Sequence, residues 1–264
     1  RVRVPKGPRA PNQAEVAEHL ATGHAIYRSW CPHCVRGRGH NAHHLAGTSR
    51  TGDGVFSRVS YDYGYLHTRG PEQQGDGEGQ SPVLVMHDSK TSCIFGHVVP
   101  HRGVEYEGSD IAVKKVLDDL EFLGYRKVLS RSDNEPAILA FRRRVKGAWN
   151  GETIAETSPE GESQSNGAAE KAVQTLKAQV RTIVDDLETK INNKLTADHP
   201  VISWIVEYAG AVLRRYVVGL DGQTPFQRVT GRAARGLPAE FGERIWYMPL
   251  DPTHQFRPAL GARF

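Results

Sequence analysis

The chain has 264 residues and 38% hydrophobic side chains, about 100 in all, enough for the core of one large domain or two modest ones. Charged residues make up 24% and mean hydropathy is −0.51, and no apolar run nears the ~20 residues of a membrane span or forms a signal-peptide h-region, which argues against a membrane protein and against secretion. The net charge of +4 is uneven: residues 1–50 hold eight Arg/Lys against two Glu and residues 214–264 hold eight Arg against four acids, ends that read either as solvated tails or as flanks that meet phosphate, and a cluster of carboxylates that holds cations would explain the acidic middle between them.

Residues 1–13, with Pro5, Pro8 and Pro11 among basic residues, read as a disordered arm, and the start at Arg1 reads as that of a piece of something longer. Residues 14–50 carry a His/Cys segment. Three cysteines cannot form a disulfide framework, and two of them stand as Cys31-Pro-His-Cys34, a metal-type spacing in a reducing compartment. His19-x4-His24-x6-Cys31-x2-Cys34 holds two soft and two borderline ligands of the kind that bind tetrahedral Zn²⁺.

Residues 55–66 alternate as a strand, with Val59, Tyr61 and Tyr63 on one face and Ser60 and Asp62 on the other. A Gly- and Glu-rich loop over 70–82 leads to strand-like runs at 83–86 and 93–99, so the first three strands suggest an antiparallel meander; Cys93 reads as core. The period then changes. Ser109 suits an N-cap, Ala112, Val113, Val116, Leu117, Leu120 and Leu123 repeat at helical spacing, and Gly124 suits the C′ position. A strand over 125–129 follows, then Asn134 as N-cap and Pro136 start a helix reaching about Lys146, which leaves Asp133 at a strand's carboxyl end. Residues 147–166 read as loop. A long helix begins near Gly167 with an apolar stripe from Ala169 to Leu187 and a polar stripe of Glu170, Gln174, Lys177 and Arg181. Trp204, Ile205 and Tyr208 read as the core of a second helix. The order is that of an α/β fold with a mixed sheet and helices on both faces, and there are no internal repeats.

Asp62, Asp133 and Glu170 lie far apart in sequence but can converge if the long helix packs its stripe on the sheet. Three carboxylates held together repel unless hard cations sit among them, which selects Mg²⁺ or Mn²⁺. Two such ions can serve an in-line phosphoryl transfer, with Lys177 and Arg181 facing a DNA backbone. Each acid also has an ordinary reading, Asp133 as a turn residue and Glu170 as a first-turn Glu favoured by the helix dipole. Arg142, Arg143 and Arg144 divide between a solvated face and a phosphate contact, and Asp88 reads as turn-forming.

Asp62 in Val-Ser-Tyr-Asp-Tyr, Asp133 in Leu-Ser-Arg-Ser-Asp-Asn-Glu, and Ser158-Pro159 leading to Gln164-Ser165-Asn166-Gly167-Ala168-Ala169-Glu170 together resemble the catalytic core of retroviral-type integrases, the D,D-35-E polynucleotidyl transferases with a ribonuclease H-like fold, here similar to those of long-terminal-repeat retrotransposon polyproteins. The similarity runs over 55–232 and includes Gly222-Gln223-Thr224-Pro225-Phe226; residues 233–264 resemble the start of the family's C-terminal β-rich domain. The resemblance implies DNA integration by 3′-end processing and strand transfer, with Asp62, Asp133 and Glu170 binding two Mg²⁺ or Mn²⁺ ions, Asn166 shaping the turn before Glu170, and Lys177 contacting DNA. It also implies element ends and target DNA as partners, a homo-oligomer, a cytoplasmic particle before action in the nucleus, and an N-terminal His-His-Cys-Cys zinc module. The order of His19, His24, Cys31 and Cys34 matches that module. The family places more residues between the second His and the first Cys, so His40, His43 and His44 stand as rival ligands. Two other readings stay open: a nucleic-acid-binding remnant without catalysis, and a ribonuclease H-like nuclease that cuts without joining.

Overall fold

Alternation in the strand at residues 57–65 decides the architecture, because it gives the centre of the sheet two different faces. In the computed structural model, which describes residues 10–38, 56–66, 82–156, 167–196, 198–236 and 240–244, this strand, β1 (Ser57–Tyr65), is followed by β2 (Pro82–Asp88) and β3 (Ile94–Val98) in an antiparallel meander. β4 (Lys127–Arg131) adds to the other edge of β1 in parallel, and β5 (Glu152–Glu156) adds in parallel to β4, giving the order β3-β2-β1-β4-β5. β5 corrects the expectation of loop over 147–166. It is a short edge strand with mostly exposed side chains, so it carries no alternating apolar signal; its β-branched Thr153 and Ile154 were the only cue.

Val59, Tyr61 and Tyr63 bury one face of β1 against α3 (Ser109–Leu123) and α4 (Pro136–Ala148), through Val113, Val116 and Leu120 of α3 and Ile138 and Phe141 of α4. On the opposite face Val83 and Val85 of β2 pack against α5 (Gly167–Ile191) and α6 (Val201–Tyr216), through Leu176, Val180 and Ile183 of α5 and Ile205 and Val206 of α6. A sheet covered on both faces by helices is the mixed α/β layer fold expected of a ribonuclease H-like core.

The helix ends follow local chemistry. Gly108 and Gly124 flank α3 in left-handed conformation, φ 85° and 71°, so the N-cap falls on Gly108, one residue before the expected Ser109. Glu135, in place of Asn134, holds the N-cap position of α4 without a side-chain cap bond, and Pro136 fixes the first turn. Trp204 is 57% exposed and does not join the core, whereas Ile205 is fully buried, because consecutive residues on a helix point about 100° apart. Arg142 is buried and donates to the Ser130 and Ser132 hydroxyls at 2.9 Å each, while Arg144 pairs with Asp110 at 2.8 Å. Asp88 is fully buried and structural, accepting from Thr91 N–H at 2.9 Å, from Tyr125 O–H at 3.0 Å and from Ser57 O–H. Cys93 is buried, as expected.

Upstream of the sheet, α1 (Gln13–Ala21) is capped by an Asn12/Glu15 capping box, and α2 (Pro32–Arg38) follows a short turn. The last helix, α7 (Pro225–Thr230), carries a Thr224/Gln227 capping box. The basic arm before residue 10, Asn166, His40, His43, His44, the loop after β1 and the segment after residue 244 lie outside the described residues.

Candidate metal centre and active site

The N-terminal segment brings His19, His24, Cys31 and Cys34 together, all buried. α1 carries His19 in its last turn and ends at Ala21. Gly23 and His24 then take left-handed φ of 58° and 56°, which reverses the chain within two residues. A Cβ on Gly23 would come within 2.9 Å of Val212 and 3.0 Å of Tyr208 on α6, so only glycine fits that reversal. Cys31 precedes α2 and Cys34 lies in its first turn. This answers the question of spacing: six residues between His24 and Cys31 suffice because the turn at Gly23-His24 points the ring back at His19.

His19 Nε2 and His24 Nδ1 are 2.9 Å apart, Cys31 Sγ is 3.5 Å from His24 Nδ1, and Cys34 Sγ is 3.4 Å from His19 Nε2 and 3.9 Å from His24 Nδ1. With Zn–N about 2.0–2.1 Å and Zn–S about 2.3 Å, a tetrahedral His₂Cys₂ centre has edges of roughly 3.3–3.8 Å. The four atoms therefore sit at nearly the spacing of that donor set, and the residues present fit a zinc ion. Burial, followed by the charges of His24, Arg28 and Arg38, pushes the His19 pKa down to about 4, so the ring is neutral and able to ligate. Burial also pushes the Cys34 thiol up to about 11, ahead of a smaller contribution from Cys31, so its proton must leave when a metal enters.

The second group lies at one end of the sheet. Asp62 is on β1, paired with Val85 of β2, and so faces α5. β1 and β4 run parallel with Ser60 opposite Arg131, and Asp133 follows two residues after β4 ends, beyond the end of the ladder with the strand that carries Asp62. α5 crosses β1 at Gly64, where a Cβ would lie 2.7 Å from Val173; this close approach puts the first turn of α5, with exposed Glu170, over the same strand ends.

Asp62 senses the other two acids. Burial comes first in pushing the Asp62 carboxyl up to about 6, and the charges of Asp133 and Glu170 add to it. The Tyr63 N–H, 2.7 Å from Asp62 Oδ1, and the nearby Arg102 act the other way. Asp133 Oδ1 accepts from Glu135 N–H at 3.3 Å. Among the described residues, His19, His24, Cys31 and Cys34 form the one His/Cys/Asp/Glu group whose ligand atoms all lie within 4.8 Å of one another, so the three acids converge without closing to that spacing. Their donor set of hard carboxylate oxygens is of the kind that holds divalent Mg²⁺ or Mn²⁺.

Lys177 is half-buried two turns along α5 from Glu170 on nearly the same face, its stem 3.8 Å from the position a Gly64 Cβ would take, and burial followed by the Arg181 charge lowers its pKa. Arg181 donates Nε–H to the Gly37 carbonyl of α2 at 3.2 Å, so part of its donor set holds the N-terminal segment and does not face outward as expected. Sequence reasoning missed Arg102, which stacks over Tyr63 and Tyr65 with its guanidinium carbon 5.5 and 5.0 Å from the ring centroids and pairs with Glu135 at 2.6 Å. An isolated Arg in a loop gives no periodic signal; only the fold brings it near Asp62.

No protein-family model matches the chain, and no curated protein matches it. Solved structures do. A chain of the simian T-cell lymphotropic virus intasome, determined in complex with PP2A regulatory subunit B56 gamma, is similar at 14% identity and a TM-score of 0.48 over 81% of this chain and 68% of that one. The HTLV-2 integrase catalytic core domain in complex with magnesium is similar in its trimeric form at 13% identity and a TM-score of 0.43, over 65% of this chain and 94% of that one. Its dimeric form is similar at 12% identity and a TM-score of 0.41, over 66% and 94%.

Proposed function

We propose that this chain is the integrase segment of a long-terminal-repeat retrotransposon polyprotein, a polynucleotidyl transferase that trims a 3′ end of element DNA and joins it to target DNA. The observation that carries the reading is the convergence of Asp62, Asp133 and Glu170 from β1, the end of β4 and the first turn of α5, close enough that two of them raise the pKa of the third. Mg²⁺ or Mn²⁺ held by these acids would supply activation of the attacking oxygen and stabilisation of the leaving oxygen. Asp62 is oriented by the Tyr63 N–H, and Glu170 stands exposed in the first turn of α5. Lys177 offers a cation to the DNA backbone beside the acids, with Asn166 shaping the turn before Glu170. The His19-His24-Cys31-Cys34 group is the zinc module of the same protein. On this reading residues 14–50 form that module, residues 55–232 the catalytic core and residues 233–264 the start of a further β-rich region. The partners are element ends, target DNA and further copies of the chain, and the site of action is the nucleus.

The test is a disintegration assay on branched DNA with Mg²⁺ and Mn²⁺, comparing the chain with its Glu170→Gln variant. Triad-dependent joining is expected, with activity in the variant down by 10²-fold or about that order; metal-independent product, or product that survives the change, would sink the reading. One observation favours a second reading, a DNA-binding remnant without turnover: among the described residues, the carboxylate oxygens of Asp62, Asp133 and Glu170 do not all lie within 4.8 Å of one another. That reading predicts salt-sensitive binding and no product. A nuclease that only cuts would show cleaved strands and no joined ones on the same gel.

A further inference from the structure

α5 carries two adjacent acids, Asp185 and Asp186, on the side that meets the N-terminal segment, and neither belongs to the triad. Asp186 is a buried carboxylate towards the C-terminal end of a long helix, a costly placement unless it has partners. Its Oδ2 lies 2.7 Å from Lys190 Nζ and 3.5 Å from His24 Nε2, and its Oδ1 lies 3.5 Å from His33 Nε2. Asp185 meets His33 Nδ1 at 2.6 Å and Arg36 at 3.0 Å.

A neutral imidazole carries one proton, so the nitrogen that ligates a metal must be the bare one. In His24 that nitrogen is Nδ1, since it is the atom facing His19 Nε2 and both cysteine sulfurs. The proton then sits on Nε2. That atom is buried and makes no well-formed hydrogen bond among the described residues, and the carboxylate facing it is Asp186, whose Oδ2 stands 3.5 Å away. A small closing movement makes the bond.

We propose that Asp186 is a positioning residue of the His₂Cys₂ centre: it accepts Nε2–H of His24, fixes the tautomer that turns Nδ1 to the metal, and so fastens the N-terminal segment to the helix that carries Glu170. The inference rests on the zinc reading of the four residues. The rest of the contact is built to match. Gly37 of α2 lies against α5 so closely that a Cβ would be 2.7 Å from Thr182 N. Arg38 donates to the carbonyls of His24 and of Ala25, the latter at 3.1 Å, and to Gln179 of α5, whose own Nε2–H donates to the Gly23 carbonyl. The backbone at His24 is thus tied to α5 by Arg38 and Gln179, and its ring by Asp186. A metal that immobilises His24 immobilises this stretch of α5 with it.

The experiment uses the full chain. Zinc affinity and stoichiometry are measured by competition with a chromophoric chelator for the wild type, Asp186→Asn and Asp185→Asn. The expected result is one zinc per chain, 10- to 100-fold weaker binding for Asp186→Asn, and binding within about threefold of wild type for Asp185→Asn. Nitrogen-15 spectra of zinc-loaded wild type should show His24 with a slowly exchanging proton on Nε2, a readout that stands if Asp186→Asn fails to fold. Hydrogen exchange at residues 179–187 should slow on zinc loading. Wild-type affinity in a folded Asp186→Asn variant, or a His24 proton on Nδ1, would overturn the proposal and leave the zinc reading standing. A wild-type chain that takes up no zinc would overturn both.

Discussion

Asp62 is where the candidate chemistry leaves its clearest mark. A carboxyl raised from 3.8 to about 6 is held in a place that disfavours its charge, so in the folded chain its ionised form costs stability. Stability from this group is full below its unfolded pKa and is lost as pH rises through about 6. Asp62→Asn should therefore stabilise the Mg²⁺-free chain at pH 7 by on the order of 1 kcal/mol once partial solvation is allowed for, seen as a higher Tm, while abolishing Mg²⁺-dependent joining. Thermal melts in zinc-containing, Mg²⁺-free buffer check this, and a lowered Tm would mean that Asp62 serves the fold. At the other centre, the Cys34 thiol raised to about 11 must give up its proton on metal uptake. Zinc binding should weaken as pH falls and should show a calorimetric enthalpy that depends on the buffer's ionisation heat. An enthalpy independent of buffer would mean that the thiols do not ligate.

Between elements, the decisive contacts are made by glycines that let backbones approach. Gly37 allows α2 to lie on α5 and Gly64 allows α5 to cross β1, where an added Cβ would come 2.7 Å from Thr182 N and 2.7 Å from Val173 respectively. Gly37→Ala meets main chain and should cost about 1–3 kcal/mol, whereas Gly64→Ala meets a side chain that can turn and should cost less. Urea unfolding curves of the two variants give the comparison. The edge of the sheet holds a further device. His97 of β3 lies between Asp119 of α3, at 2.6 Å, and Glu207 of α6, at 3.6 Å, with Lys115 also on Glu207. Burial alone would lower its pKa, but the hydrogen bonds and charges of the two acids outweigh it and the net direction is up. The raised pKa means that its contribution is full below the ordinary 6.5 and fades as pH climbs through the elevated value. Wild type should lose stability over that window while His97→Gln shows a flatter profile; equal slopes would remove His97 from the account.

For the whole molecule, the uneven charge predicts DNA binding that falls steeply with salt, since each neutralised phosphate releases counterions. Lys177→Ala should flatten the slope of log K against log salt by about one phosphate contact, read from fluorescence anisotropy at several salt concentrations. An unchanged slope would place Lys177 away from the backbone.

Much of this organisation was legible in the residues alone. The period-2 run at Val59, Tyr61 and Tyr63 and the 3.6-residue stripes of α3 and α5 are local patterns, and burial of one face forces them into strand and helix wherever they occur. The acids and the four metal-type ligands could also be named, because their chemistry is carried by residue type. Other features came only from packing. β5 and the exposure of Trp204 depend on what covers each surface, which no local pattern records. The turn of Arg181 towards Gly37, the stacking of Arg102 and the meeting of His24 with Asp186 join residues far apart in the chain. Sequence by itself determined which groups this protein has and the period of the elements that carry them. Tertiary structure decided which groups meet, because side-chain direction and distance are set by how a strand register and two close helix crossings fall, and those are properties of the packed whole.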